Sequence, residues 1–340
     1  MLTPIVSVVL PVYNSKNYIH DSVNSILNQR FNNFELIIVD DHSFDGSAEI
    51  IYGFKDDRIK YIKNESNIGI VRSLNIGIAI SKGKYIARMD SDDISLPDRF
   101  SIQVSFLEKN SDYLIVGSNY NVINSNGTLV SSSPLISYDD NDLKASLFFA
   151  CPFIHPGIMF RKSILNNNNL YYNEEIKLAE DYVFYSSIMN FGKFYIPKEI
   201  IFSYRIHQSE YRITSLDNKS YMIDGRIVAW KIILDKLNIQ LERDVLLLHD
   251  KFCYYIDQIN EGDVQLIKKY LNLLYIIKMQ NKSFYLFNQK SLENQISMRS
   301  YFVGKYLIQN NYSIIPNGLL FNKTTSVFNL FKLTILSIFK

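Results

Sequence analysis

An α/β fold, with a mostly parallel sheet flanked by helices and followed by a C-terminal helical region, is what this sequence predicts. Three observations carry that expectation. Residues 5–10 and 34–39 are short, nearly continuous apolar runs rich in Val and Ile, the pattern of strands buried on both faces. These runs alternate with segments of helical period across short polar turns, which reads as successive βαβ units. After about residue 215 the apolar residues recur at helical spacing instead.

Taken in order, the first strand, 5–10, is broken by Pro11-Val-Tyr-Asn14. A helical pattern follows over 15–29, with Tyr18, Val23, Ile26 and Leu27 at matching spacing. The second strand, 34–39, ends in Asp40 and Asp41, a turn occupies 43–46, and 47–54 starts a second helix. A third strand covers 59–62, and 67–80 is helix-like, with Asn75 and Gly77 inside it. The turn Ser81-Lys-Gly83 introduces a buried strand over 84–89 that ends on Asp90-Ser91-Asp92-Asp93. Further on, 178–185 opens a helix with Glu180 and Asp181 in its first turn, where acids suit the helix dipole. Residues 219–237 carry Met222, Ile223, Ile227, Trp230 and Leu234 on one helical face, and 243–259 and 264–279 read alike. Two domains are expected, 1–215 bearing the strands and 216–340 helical.

Two strand ends therefore carry acids, and ligands of open α/β sheets bind at the carboxyl ends of strands. In extended backbone, residues i and i+2 point the same way, so Asp90 and Asp92 can face one point. Carboxylates so close repel one another unless a cation sits between them, and hard oxygens with open coordination positions suit Mg²⁺ or Mn²⁺. A solvated acidic turn is the plain alternative. Tyr13 and Asn14 point to the same rim. A tyrosine can stack on a planar base, and a carboxylate such as Asp41 can accept a hydrogen bond from a ring N–H. No G-x-G-x-x-G or G-x-x-x-x-G-K-[ST] lies near the first strand, which counts against a Rossmann dehydrogenase and a P-loop NTPase.

The ordered motifs Val6-Ser-Val-Val-Leu-Pro-Val-Tyr-Asn14, Ile38-Val-Asp-Asp-His-Ser-Phe-Asp-Gly-Ser47, Asn67-Ile-Gly69 with Leu74-Asn-Ile-Gly77, and Ala87-Arg-Met-Asp-Ser-Asp-Asp93 with Pro97-Asp-Arg99 resemble those of the family 2 inverting glycosyltransferases. His155-Pro156 with Arg161, Glu180-Asp181 and Tyr204-Arg-Ile-His207 continue the series, so the resemblance spans about two-thirds of the chain. It implies a GT-A-type (Rossmann-like) fold with 1–215 as the catalytic domain, and transfer from a UDP-sugar to a hydroxyl of a glycan or lipid-linked glycan in surface polysaccharide synthesis. It implies a UDP site of Pro11, Tyr13, Asn14, Asp41, Asn67, Asp90 and Ser91. Asp92 is then the main metal ligand, with His207 beside it and Asp90 and Asp93 in support. Asp181 becomes the general base, with Glu180 orienting the acceptor. His155 either faces the acceptor or caps a turn, and the second reading is preferred. One departure is that Tyr185-Ser-Ser-Ile188 stands where many relatives carry an arginine.

The chemistry asks for one base, because an acceptor hydroxyl is a poor nucleophile until its proton is taken. A sugar nucleotidyltransferase would open with a Gly-rich loop where Pro11-Val-Tyr-Asn14 stands. With 340 residues, 47% of them hydrophobic, the chain can bury a large core, and a net charge of +2 gives no reason to expect nucleic acid. Cys151 and Cys253 suggest neither a disulfide framework nor a zinc site. Met1-Leu-Thr-Pro4 leaves no room for a signal peptide, so the expected location is cytoplasmic. Residues 326–340 are strongly apolar but too short to span a bilayer, which takes ~20 residues. They either lie in the inner membrane face as a peripheral contact or pack as a last helix.

Overall fold

The computed structural model describes residues 3–168, 170–207, 218–255 and 264–309. The chain divides into two compact units, one formed by Met1–Asp140 with Pro152–Gly225, the other by Asn141–Cys151 with Arg226–Lys340.

The first unit opens with β1 (Val6–Val12), α1 (Ile19–Leu27), β2 (Phe34–Asp40), α2 (Ser47–Gly53), β3 (Ile59–Lys63), α3 (Ile70–Ile80) and β4 (Tyr85–Arg88). All seven residues of β1 and of β2 are buried, as their mostly apolar runs require, and the polar Ser7 and Glu35 among them are hydrogen-bonded to each other. β1 pairs in parallel with β2, from Val6 opposite Phe34 to Val12 opposite Asp40. On its other side β1 pairs in parallel with β4, from Val6 opposite Tyr85 to Val9 opposite Arg88. The chain thus runs outward from β1 to β3, then returns to the opposite flank of β1. That reversal is a switch point, and it opens a crevice at the carboxyl ends of β1 and β4. α3 lies tight on the sheet because Gly77 has no side chain; a Cβ there would stand 2.5 Å from Val9 Cγ1.

Next come β5 (Ile94–Ser95), α4 (Arg99–Lys109), β6 (Tyr113–Val116), β7 (Asn119–Ile123), β8 (Leu129–Ser132), α5 (Asp140–Leu147), β9 (Met159–Arg161), α6 (Ser163–Asn168), α7 (Glu180–Ile188), β10 (Lys193–Tyr195) and β11 (Ile200–Arg205). The main sheet has seven strands in the order β10-β6-β9-β4-β1-β2-β3. It is mostly parallel; β9 alone among its named strands runs against its neighbours β4 and β6. A second sheet has the order β5-β11-β7-β8. Its β5–β11 pair, Phe202 opposite Ser95 and Ser203 opposite Ile94, brings the end of β11 against the segment that follows the acidic motif.

Two helices start later than the periodicity predicts, and the backbone just before each explains why. α1 begins at Ile19 because residues 14–16 are spent on cross-links: Asn14 and Ser15 donate their N–H groups to Ser43 Oγ and Ser47 Oγ. α3 begins at Ile70 because Gly69 holds a positive φ of 93°, outside the helical region, in a loop whose Ile68 and Gly69 N–H groups donate to Asp41.

The second unit continues with α8 (Lys219–Lys236), in which the division falls at Gly225, then α9 (Arg243–Tyr254), α10 (Val264–Phe284) and α11 (Gln289–Gln309). Ile227, Trp230 and Leu234 of the predicted face are buried. His249 is fully enclosed, its Nε2 donating to the Phe148 carbonyl at 2.6 Å, and burial pushes its pKa down to about 3. Among the described residues no helix is long and apolar enough to cross a membrane. The apolar segment 326–340 lies outside the described residues.

Candidate active site

β4 delivers the acidic motif to the crevice. Asp90, Asp92 and Asp93 each place a carboxylate oxygen within 4.8 Å of the others. Arg88, buried in the last position of β4, forms an ion pair with Asp90 at 2.5 Å. Asp93 is fully buried; its Oδ1 accepts the Arg205 N–H at 2.7 Å, while its Oδ2 has no hydrogen-bond partner. Burial pushes Asp90 up to about 6, the charge of Asp92 adding to it and Arg88 opposing it. Burial and then the charges of Asp92 and Asp90 push Asp93 well above the usual carboxylate range.

β11 supplies the other wall. Arg205 donates from Nε to the Asp92 carbonyl at 2.6 Å, and its guanidinium lies 4.9 Å from the centre of the Tyr18 ring. Two residues on, His207 places Nε2 2.6 Å from Asp92 Oδ2 and rests its ring against Tyr18. Beneath the motif, the fully buried Arg99 donates to the carbonyls of Arg88 and Ile158 at 2.7 and 3.0 Å.

The end of β1 forms the opposite rim. Pro11 is buried within the strand, and Tyr13 is 46% exposed. Asn14 holds a left-handed φ of 49°, and its Oδ1 accepts the Phe44 N–H at 3.1 Å. Ser15 and Ser91 share a hydrogen bond of 2.5 Å, which ties this rim to the acidic motif. At the end of β2, Asp41 is nearly buried. It accepts from Asn64 Nδ2 and Ile68 N at Oδ1 and from Gly69 N at Oδ2, at 2.8, 2.9 and 2.8 Å. Asn67 stands exposed in the loop this carboxylate organises.

Glu180 and Asp181 open α7. The residue before them, Ala179, is forced into a left-handed conformation at φ 63°. Close packing holds it there: a Cβ on Gly225 would stand 2.0 Å from the Leu178 carbonyl. Glu180 is buried, 3.4 Å from His155 Nδ1, and His155 Nε2 shares a 2.8 Å hydrogen bond with the Tyr172 hydroxyl. His155 does begin a short 3₁₀ turn, yet its ring belongs to this buried network. Asp181 Oδ1 accepts its neighbour's Tyr182 N–H at 2.7 Å. Burial raises the pKa of both acids; at Asp181 the charge of Glu180 adds to this and His155 opposes it. Burial, and then the charge of Arg88, hold His155 well below its ordinary value. The charge of Arg88 opposes the upward shift at Asp90, Glu180 and Asp181 alike. No arginine follows the pair; Tyr185 is buried edge-on to Phe153 instead, and the guanidinium that bears on the pair comes from β4.

The donors fit a divalent cation. They are hard oxygens, one of them buried and unpartnered, and a carboxylate oxygen without a partner is costly unless a cation completes it. Reading residue types alone assigns no role to Arg88, Arg99, Arg205, Tyr18 or Tyr172. The available signal was a charged residue inside the apolar run of β4, which a buried strand tolerates only when that charge is paired.

A mostly parallel sheet with carboxylates clustered at its switch point is suited to holding a ligand at the carboxyl ends of its strands. Residues 7–168 match the profile of glycosyl transferase family 2. An uncharacterized glycosyltransferase of Haemophilus influenzae is 33% identical over 216 residues, covering 61% of this chain and 67% of that protein. Another, from Methanocaldococcus jannaschii, is 38% identical over 208 residues, covering 60% and 71%. Among solved structures, S. aureus TarS 1-349 in complex with UDP-GlcNAc has a TM-score of 0.60 at 20% identity, covering 90% of this chain and 89% of that one. The chain belongs to glycosyl transferase family 2 and is a transferase enzyme.

Proposed function

We propose that this enzyme moves a sugar from a UDP-sugar to a hydroxyl of a glycan or lipid-linked glycan in a single inverting displacement. The observation that carries this reading is geometric: Asp90, Asp92 and Asp93 bring carboxylate oxygens within 4.8 Å of one another at the end of β4, and the Arg88 N–H donates to the Ile158 carbonyl at 3.1 Å, just after the turn whose His155 lies 3.4 Å from Glu180. The likeness to TarS, solved with UDP-GlcNAc and with UDP, supports a nucleotide-sugar donor.

Each side chain then has a task. Tyr13 offers an exposed ring for stacking, and Pro11 and Asn14 shape the turn that presents it. Asp41 uses three of its roughly four acceptor positions on the protein, leaving one for the ring N–H of a uracil. Asn67, Asp90 and Ser91 line the nucleotide. Asp92 and His207 hold the cation, Mn²⁺ or Mg²⁺, with Asp90 and Asp93 in support. When bound, that cation supplies charge neutralisation for the departing diphosphate. Asp181 takes the acceptor proton; its raised pKa brings it nearer to working pH, where a general base is most effective. Glu180, oriented by His155, positions the acceptor. For 216–340, packing among its own helices is the preferred reading and acceptor or membrane association the second, and for 326–340 an interfacial contact and a terminal helix both stay open.

A panel of nucleotide sugars with Mn²⁺, Mg²⁺ or chelator, scored by nucleoside diphosphate release, tests the reaction. Asp181→Asn should keep UDP affinity and lose about 10²- to 10⁴-fold in kcat, the usual worth of a general base. Near-normal turnover in that variant would remove Asp181 from the mechanism.

A further inference from the structure

We propose that Phe44 is a second base-contacting ring: with Tyr13 it makes an aromatic corner that receives the planar base of the donor. This rests on the nucleotide-sugar reading above and deepens it. Phe44 is 78% exposed, so its ring contributes little to the core. Its backbone, by contrast, is firmly held. The Phe44 N–H donates to Asn14 Oδ1, and the preceding Ser43 N–H donates to Asp40 Oδ1 at 2.8 Å. The following Asp45 accepts from the N–H groups of Lys16 and Ser47 at 2.9 and 3.0 Å. An apolar ring on so rigid a turn is positioned, and it is positioned against the stacking residue. The Tyr13 and Phe44 rings meet edge-on, with centroids 6.2 Å apart and planes at 78°. Such a contact uses at most one face of one ring, so open π-faces remain on both. Asp41, the acceptor assigned to the base edge, begins the same loop.

Phe44 has neither donor nor acceptor on its side chain, so it cannot choose among bases. It should strengthen binding of any nucleoside diphosphate alike, leaving the choice to Asp41.

The test is calorimetric titration of the full chain and of Phe44→Ala and Phe44→Trp. The probes are UDP and CDP with Mn²⁺, and pyrophosphate with Mn²⁺ as a ligand without a base. Phe44→Ala should weaken UDP and CDP alike by about tenfold, the scale of one base–aromatic stack. It should leave pyrophosphate binding and the melting temperature unchanged, and Phe44→Trp should bind UDP as the native chain does. UDP affinity that is unchanged in Phe44→Ala, or pyrophosphate affinity that falls by the same factor, overturns the inference. A native chain that binds pyrophosphate but no nucleoside diphosphate overturns the donor reading itself, and this inference with it.

Discussion

β2 and β4 both flank β1, and each ends in a cluster of aspartates, yet the two ends are opposite in character. At the β2 end the carboxylates are satisfied by the protein. Asp40 accepts from the Ser43 N–H and the Tyr61 hydroxyl, and Asp41 accepts from Asn64, Ile68 and Gly69. At the β4 end the carboxylates face each other, one oxygen has no partner, and two of the three are pushed above their ordinary range. Acids held mainly by the protein's donors build a loop; those at the β4 end have one partner each, Arg88, His207 and the Arg205 N–H, and still crowd one another. The number of donors within reach, more than the number of acids, separates the two uses.

Four measurements sharpen or break that contrast. The largest effect is expected for Asp92→Ala, which should weaken Mn²⁺-dependent UDP binding by roughly 100-fold. Equal native affinity for UDP with and without Mn²⁺ would contradict the role given to the β4 end. Asp41→Asn should cost about 2 kcal/mol in denaturant unfolding, because the buried N–H groups of Ile68 and Gly69 lose a charged acceptor. If its stability is unchanged while Mn²⁺ binding is lost, the two ends have been assigned the wrong way round. Acidity gives the third. Asp90 takes up a proton as pH falls through about 6, and a protonated carboxyl is a poor ligand. Mn²⁺ affinity should therefore be complete above that pH and decline by up to ~10-fold per unit below it, with proton release visible in buffers of different ionisation enthalpy. Flat affinity from pH 7 to 5 would argue against Asp90 as a supporting ligand.

The smallest effect has the opposite sign from Asp41→Asn. The folded pKa of Asp93 is raised, so its stability contribution is present below the unfolded value of about 3.9 and is lost as pH rises through the folded value. At neutral pH the metal-free protein carries that penalty. Asp93→Asn, which cannot ionise, should modestly stabilise the chelated protein in denaturant unfolding at neutral pH. A loss of stability would mean that Asp93 is held as a structural acid like Asp41.

The first half of the sheet was legible because β1 and β2 are long, mostly apolar and separated by a helix of clear period, so each announces itself locally. β5, β9 and β10 were not, since two or three residues carry no period, and their pairing depends on distant partners such as Ser95 with Phe202. For the same reason the sequence marks Asp92 and His207 separately and says nothing of the 2.6 Å between them; that distance is set by the β5–β11 register. Asp40 and Asp41 look as available as Asp90 and Asp92 when read along the chain. Only the fold shows that the Asn64–Gly69 loop comes back to claim Asp41. Arg88 reads as an interruption in an apolar strand until its partners are seen on two separate motifs.

The contact between Asp92 and His207 joins residues 115 positions apart. A ribosome adding roughly 5–20 residues per second takes about 6–23 s to cover that interval. The strands around β1 therefore have time to assemble while the aspartates of β4 still lack their histidine. The nascent chain can hold a finished half-sheet before it holds a finished site, and the step that completes the centre is the late arrival of β11 beside β5.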